Sequence, residues 1–126
     1  MDLYNDLQAK LDQLSASLKK LRQTGSEYAK TERDYKILLR QEVLKLRNEG
    51  EAIGVIQLTC YGIPSVAEAR FKRDVAKAIY EANKEAINTL KIEIKLINNQ
   101  IEKEWAHCGN SWKMEKSRRN KRILCK

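Results

Sequence analysis

From Ser65 to Trp105 the chain contains no glycine and no proline. Forty-one residues without a breaker admit few folds, and their apolar positions narrow the choice further. Phe71, Val75, Ile79, Ala82, Ala86, Leu90, Ile94, Ile97, Ile101 and Trp105 recur at steps of three and four. That spacing lines one face of an α-helix. Leu90–Leu96 also alternates as a strand would, but no turn residues bound it, so helix is the reading. Ile92 and Leu96 then fall off the main stripe and widen the apolar surface. The first part of the chain has the same character. Leu3, Leu7, Leu11, Leu14, Leu18 and Leu21, then Tyr28, Tyr35, Leu39, Val43 and Leu46, make a second stripe.

The pattern predicts an all-α fold, an antiparallel helical hairpin of two long amphipathic helices with a short connector. The helices are expected over about residues 3–48 and 65–105, with the connector at 49–64. Together they make a hairpin domain over 1–105, followed by a basic tail over 106–126. Asp2 can cap the first helix, and Asn48-Glu49-Gly50 can end it. Thr24-Gly25-Ser26-Glu27 matches a capping box, which predicts a kink or short break. Residues 51–62 suit either short helical turns or an extended piece. Ser65-Val66-Ala67-Glu68, just after Pro64, is a capping box that should open the second helix at Ser65.

The expected packing residues are Leu7, Leu11, Leu14, Leu18, Leu39 and Val43 on the first helix. On the second they are Val75, Ile79, Leu90, Ile94, Ile97 and Ile101. The mean step of the second stripe, near 3.8, is wider than the 3.5 of a coiled-coil heptad. A helix apolar on more than one side touches more than one partner, so self-association is expected, a dimer first, in a coiled-coil-like bundle. On this seam, Ile79→Asp or Ile97→Asp should unfold or dissociate the protein.

Composition enters through charge. The chain of 126 residues carries a net +8. Residues 1–50 contribute +2, residues 51–105 are balanced, and residues 106–126 contribute +6. Lys113, Lys116, Arg118, Arg119, Lys121 and Arg122 follow Trp112 in this last stretch. Such a segment neutralises phosphates with salt-sensitive affinity, and a tryptophan can stack on an exposed base. After the turn-like Gly109-Asn110-Ser111 it reads as a mobile tail that becomes helical when bound. A second basic patch, Arg70, Arg73 and Lys77, opens the second helix and resembles a helix-turn-helix entry. The bland account is that Glu68–Lys72, Arg70–Asp74 and Lys77–Glu81 satisfy one another at i,i+4 spacing.

Catalysis is not expected. His107 is the sole histidine, and no glycine-rich phosphate loop is present. Ser17-Leu18-Lys19-Lys20 fits an S-x-x-K pattern without its companion motifs. Glu104-Trp105-Ala106-His107 is one E-x-x-H unit where a di-iron bundle needs two. Cys60, His107, Cys108 and Cys125 have the spacing of no zinc module. No metal or cofactor is therefore expected. An odd number of cysteines, the lack of a signal-like start and the lack of a membrane-length apolar run suit a cytoplasm and no membrane partner.

Three stretches carry a resemblance. They are Glu32-Arg33-Asp34-Tyr35-Lys36-Ile37-Leu38-Leu39-Arg40-Gln41-Glu42, Tyr61-Gly62-Ile63-Pro64-Ser65-Val66-Ala67-Glu68-Ala69-Arg70-Phe71-Lys72-Arg73-Asp74-Val75-Ala76 and Ile97-Asn98-Asn99-Gln100-Ile101-Glu102-Lys103-Glu104-Trp105. The chain resembles, over about residues 3–105, small helical proteins of phages and prophages of Gram-positive bacteria, from early regions among genes for recombination and single-strand binding. The resemblance implies a phage accessory role in a host bacterial cytoplasm and supplies no catalytic motif. Members of that family end near the position of Trp105, so the basic tail departs from their pattern. Two functions follow as expectations. The first is association with nucleic acid in phage recombination or replication, through the tail and the Arg70/Arg73/Lys77 face. The alternative is a protein-interaction module that binds and inhibits or redirects a host or defence protein.

Overall fold

The computed structural model describes residues 2–124, with side chains described as far as Cys108. Helix α1 spans Leu3–Asn48, α2 spans Ile53–Thr59, a single 3₁₀ turn spans Cys60–Gly62, and α3 spans Pro64–Leu124. There is no strand among the described residues. The two long helices pack on each other as a hairpin with a short connector, which is the fold the apolar spacing predicts. The chain divides into two compact units, residues 1–15 with 88–126, and residues 16–87.

The helix ends follow from local chemistry. At the start of α1 the Asp2 carboxylate accepts from the Tyr4 N–H at 3.0 Å. The Asp2 carbonyl accepts from the Asp6 N–H at 3.1 Å, so Asp2 caps the helix as expected. The other end closes as a Schellman motif. Gly50 takes φ +86°, the left-handed region that a side chain would strain. Its N–H then donates to the Arg47 carbonyl at 3.0 Å, and the Glu51 N–H donates to the Leu46 carbonyl at 3.2 Å.

Two expected boundaries are corrected. Helix α3 starts at Pro64 rather than Ser65. Proline at the first helical position gives up no hydrogen bond, because that N–H has no partner within the helix. Ile63 is extended, as a residue before proline prefers, and its carbonyl accepts from the Ala67 N–H at 2.8 Å. At the far end α3 does not stop near Trp105; its backbone continues helical through Gly109-Asn110-Ser111 to Leu124. One interior glycine costs a helix only about 1 kcal/mol relative to alanine, and no proline follows to stop it.

In the unit of residues 16–87 the seam is built from small, polar and aromatic side chains. The positions shielded on α1 are Ser17, Leu21, Thr24, Gly25, Tyr28, Thr31, Glu32, Tyr35, Leu38, Leu39, Glu42, Val43 and Leu46. On α3 they are Val66, Ala69, Arg73, Ala76, Tyr80, Asn83 and Ile87. The α3 set alternates steps of three and four, the seven-residue repeat of a coiled-coil seam, and the α1 set contains the same series from Ser17 to Glu42 with shielded neighbours beside it. The expected break at Gly25 does not occur, and α1 runs straight through it. Thr24 is buried and its hydroxyl donates to the Leu21 carbonyl at 3.2 Å instead of capping a new helix. Gly25 is small for a packing reason. A Cβ there would lie 3.2 Å from Tyr80 Cε2. Tyr80 also meets Tyr28, with ring centroids 5.9 Å apart and planes at 41°. Asn83, buried, donates its side-chain N–H to the Ser17 carbonyl at 3.2 Å. Val66 is the one large side chain fully buried among the described residues. Of residues 51–62, for which helix and extended chain were both open, those from Ile53 on are helical, Ala52 is extended, and Ile56 and Cys60 are buried.

In the unit of residues 1–15 with 88–126 the shielded positions are Leu3, Leu7, Lys10 and Leu14 on α1, and Leu90, Ile94, Ile97 and Ile101 on α3. Lys10 and Glu93 form an ion pair at 2.6 Å, each about one-third exposed. Solvent screening limits such a pair to about 1 kcal/mol or less.

The packing yields two tests by thermal unfolding. Val66→Ala removes two methyl groups from a fully buried site and is expected to lower stability by about 2 kcal/mol. Gly25→Leu drives a branched side chain into the Tyr80 ring and is expected to cost about 1–3 kcal/mol, although leucine is much the better helix former.

Candidate interaction surface

The outer face of α3 in the 16–87 unit carries the residues that the apolar pattern assigns to the seam. Phe71 is 64% exposed and Ile79 51%, and Val75 between them is also exposed. Ala82 and Ala86 continue the same line, exposed. Val75 and Ile79 therefore do not pack within the hairpin, and that expectation is corrected. The physical reason lies in the composition of the true seam. Ala69, Arg73, Ala76, Tyr80 and Asn83 have little hydrophobic signal, so the larger aliphatic residues of the opposite face dominate the pattern. The same displacement by one position occurs on α1, where Lys10 and Ser17 are shielded and Leu11 and Leu18 are exposed. Leu7, Leu14, Leu39, Val43, Leu90, Ile94, Ile97 and Ile101 are partly buried where packing was expected. Ile92 and Leu96 are exposed, off the seam.

The basic patch at the start of α3 is not assembled. Arg73 turns into the seam, its guanidinium 4.5 Å from the centroid of Tyr35, a cation–π contact. Its Nε and Nη2 donate to Asp74 Oδ1 at 3.1 and 2.9 Å. The hydrogen bond to Asp74 holds its pKa above the ordinary arginine value, against a smaller opposing effect of burial. Arg73 thus holds its guanidinium between the Tyr35 ring and the Asp74 carboxylate. Arg70 lies 5.6 Å from the Tyr61 ring centroid instead. Lys77 is exposed. The pairs Glu68–Lys72, Arg70–Asp74 and Lys77–Glu81 are not among the ion pairs formed by the described residues, so i,i+4 neutralisation is also not the arrangement. The side chains of Trp112, Lys113, Lys116, Arg118, Arg119, Lys121 and Arg122 lie outside the described ones; their backbone belongs to α3.

Among the described residues no three of His, Cys, Asp and Glu group as metal ligands would. Cys60 is a buried free thiol and Cys108 an exposed one. No helix is long and apolar enough to cross a membrane among the described residues.

The exposed line Phe71–Val75–Ile79 is the surface that sequence reasoning found and misplaced. Its signal was the i,i+4,i+8 spacing; what pattern alone could not supply was which face of α3 the hairpin covers. In comparisons with known proteins, the chain matches no protein-family model, no curated protein and no solved structure. Ile79→Asp is now expected to leave the unfolding temperature of the hairpin nearly unchanged, within about 0.5 kcal/mol, as for an ordinary surface substitution. Thermal unfolding followed by circular dichroism checks this, and loss of cooperative unfolding would return Ile79 to the core.

Proposed function

We propose that the chain is a non-enzymatic protein-interaction module that docks a partner protein along the outer face of α3. The observation that carries this reading is the exposure of Phe71, Val75 and Ile79 on one line of a helix whose seam lies elsewhere. Anchors at i, i+4 and i+8 are how one helix reads a groove or another helix. Contiguous exposed apolar surface is uncommon on monomeric proteins and marks interaction sites. The resemblance to phage early-region proteins suits a partner in the host, a nuclease or polymerase that the module inhibits or redirects. A second copy of the chain is the other occupant this face can take.

The nucleic-acid reading keeps one supporting observation. Because α3 runs helical to Leu124, the basic residues from Lys113 to Arg122 follow one another on a helical backbone rather than on an irregular tail. A helix that concentrates positive charge binds phosphate backbones with a steep salt dependence.

Paired substitutions separate the two readings. Phe71→Asp with Val75→Asp should leave unfolding nearly unchanged and abolish capture of a stoichiometric partner from nuclease-treated host lysate, or shift the solution mass to that of a single chain. If the double variant retains both its partner and its mass, the α3 face is not the interface. Arg118→Glu, Arg119→Glu, Lys121→Glu and Arg122→Glu combined in the full chain should abolish DNA binding at low salt if the second reading holds. Unchanged binding, or none in the parent chain, removes it.

A further inference from the structure

The connector end of the 16–87 unit holds a second surface of different chemistry. Leu39, Val43 and Arg47 of α1 face Ile53, Ile56 and Gln57 of α2, with Cys60 and Tyr61 of the 3₁₀ turn beyond them. Between them is a cleft of about 510 Å³ with a mostly apolar lining. That volume is within the range of sites that hold small ligands or a partner's side chains. One arginine lines it and a second lies against the tyrosine of its wall. Arg47 is part of its wall, and Arg70 stands 5.6 Å from the ring of Tyr61, another part of the wall. Neither arginine has a carboxylate within 4.0 Å among the described residues. This contrasts with Arg73, three residues further on, which is held by Asp74. Apolar side chains rim the same end, with Leu58 86% exposed and Ile53 67%.

We infer that this cleft is a docking site for a protein segment that carries an apolar anchor flanked by carboxylates. The apolar walls take the anchor side chain. Arg47 and Arg70 take carboxylates on either side, where each planar guanidinium offers a pair of parallel N–H donors. Charge complementarity selects the occupant. A basic amphipathic segment would meet two like charges at the rim, and a purely apolar one would leave them unused. The inference rests on the interaction reading for the class of partner, but it uses a different surface from the α3 line.

The test is fluorescence anisotropy on the full chain with a labelled peptide, Asp-Glu-Asp-Leu-Phe-Asp-Glu-Asp, as probe. Two control peptides accompany it, one with Ser-Ser in place of Leu-Phe and one with lysine at every acidic position. Saturable binding of the first peptide alone is expected. Arg47→Glu and Arg70→Glu should each weaken it at least tenfold, Lys20→Glu should not, and the double arginine variant should bind the lysine peptide instead. That rescue excludes unfolding as the cause of the loss. The site is overturned if the probe does not saturate, if the Ser-Ser peptide binds equally well, or if Arg47→Glu leaves binding unchanged. It is also overturned if a single-stranded oligonucleotide, and not the peptide, binds in an Arg47-dependent way. Phe71→Asp with Val75→Asp should bind the probe as the parent chain does. Loss of the probe site alone would leave the α3 reading standing, and loss of the α3 partner alone would leave this site standing.

Discussion

Tyr80 lies so close to Gly25 that a single added carbon would stand 3.2 Å from its ring. Much of the 16–87 unit can be understood from that contact. A tyrosine needs room, and α1 supplies it by omitting a side chain at position 25 and placing Thr24 beside it. The ring edge then reaches Tyr28 on the same face of α1. The solvent side of the ring meets Lys84, whose ammonium is 4.8 Å from its centroid. Tyr35 repeats the arrangement with Arg73 above its ring. Aromatic rings with cations over them can be shielded at the edge of a narrow seam, where their apolar bodies pack and the charges stay near water. Between Ala69 and Asn83 a seam of this kind holds no long aliphatic side chain of α3, and Phe71, Val75 and Ile79 face outward.

Such a seam gains specificity from its polar members. A buried asparagine is tolerated only in a register that gives its amide a partner, and Asn83 finds one in the Ser17 carbonyl. A slip of one heptad would leave that amide without this acceptor and move Tyr80 away from the only glycine in α1. An unpaired buried amide costs about 1–3 kcal/mol, and overpacking a tyrosine against a side chain costs a similar amount. An all-leucine seam would tolerate the slip much better. Glycine, tyrosine and asparagine together therefore set the register in this part of the hairpin, at the expense of apolar burial.

The same trade explains what could be read in advance. Helix ends were legible where they depend on one residue's own chemistry, as with Asp2 and Gly50. The hairpin was legible because two long segments lack breakers and carry helical spacing. The seam was legible from Leu90 to Ile101, where large aliphatics occupy it, and illegible from Ala69 to Asn83, where they do not. Periodicity reports the most hydrophobic face, and the packed face coincides with it only when packing relies on hydrophobicity. Gly25 misled for a related reason. A glycine inside a helix signals either a break or a close approach, and only the position of Tyr80 decides between them. The place of Arg73 in the seam was not legible, because spacing alone cannot distinguish an arginine over a tyrosine from one that faces water.

Outward-facing aliphatics have consequences that a polar seam makes harder to ignore. If Phe71, Val75 and Ile79 were incidental, burying them in the hairpin and exposing Arg73 and Asn83 would give a more stable fold by simple rotation of α3. Each large side chain so buried would contribute on the order of 1.5–3 kcal/mol. The sequence instead satisfies the polar seam with specific partners, Tyr35 and Asp74 for Arg73 and the Ser17 carbonyl for Asn83. Tyr35 and Ser17, the partners on α1, hold the rotation of α3 fixed and keep the aliphatic line available on the outside. The connector shows the complementary logic. There Arg47, in the wall of a mostly apolar cleft, and Arg70, against Tyr61, have among the described residues no carboxylate such as Arg73 has. A line that needs only an apolar groove and a cleft that needs carboxylates as well would recognise different features of a partner, and both depend on the register that Gly25, Tyr80 and Asn83 impose.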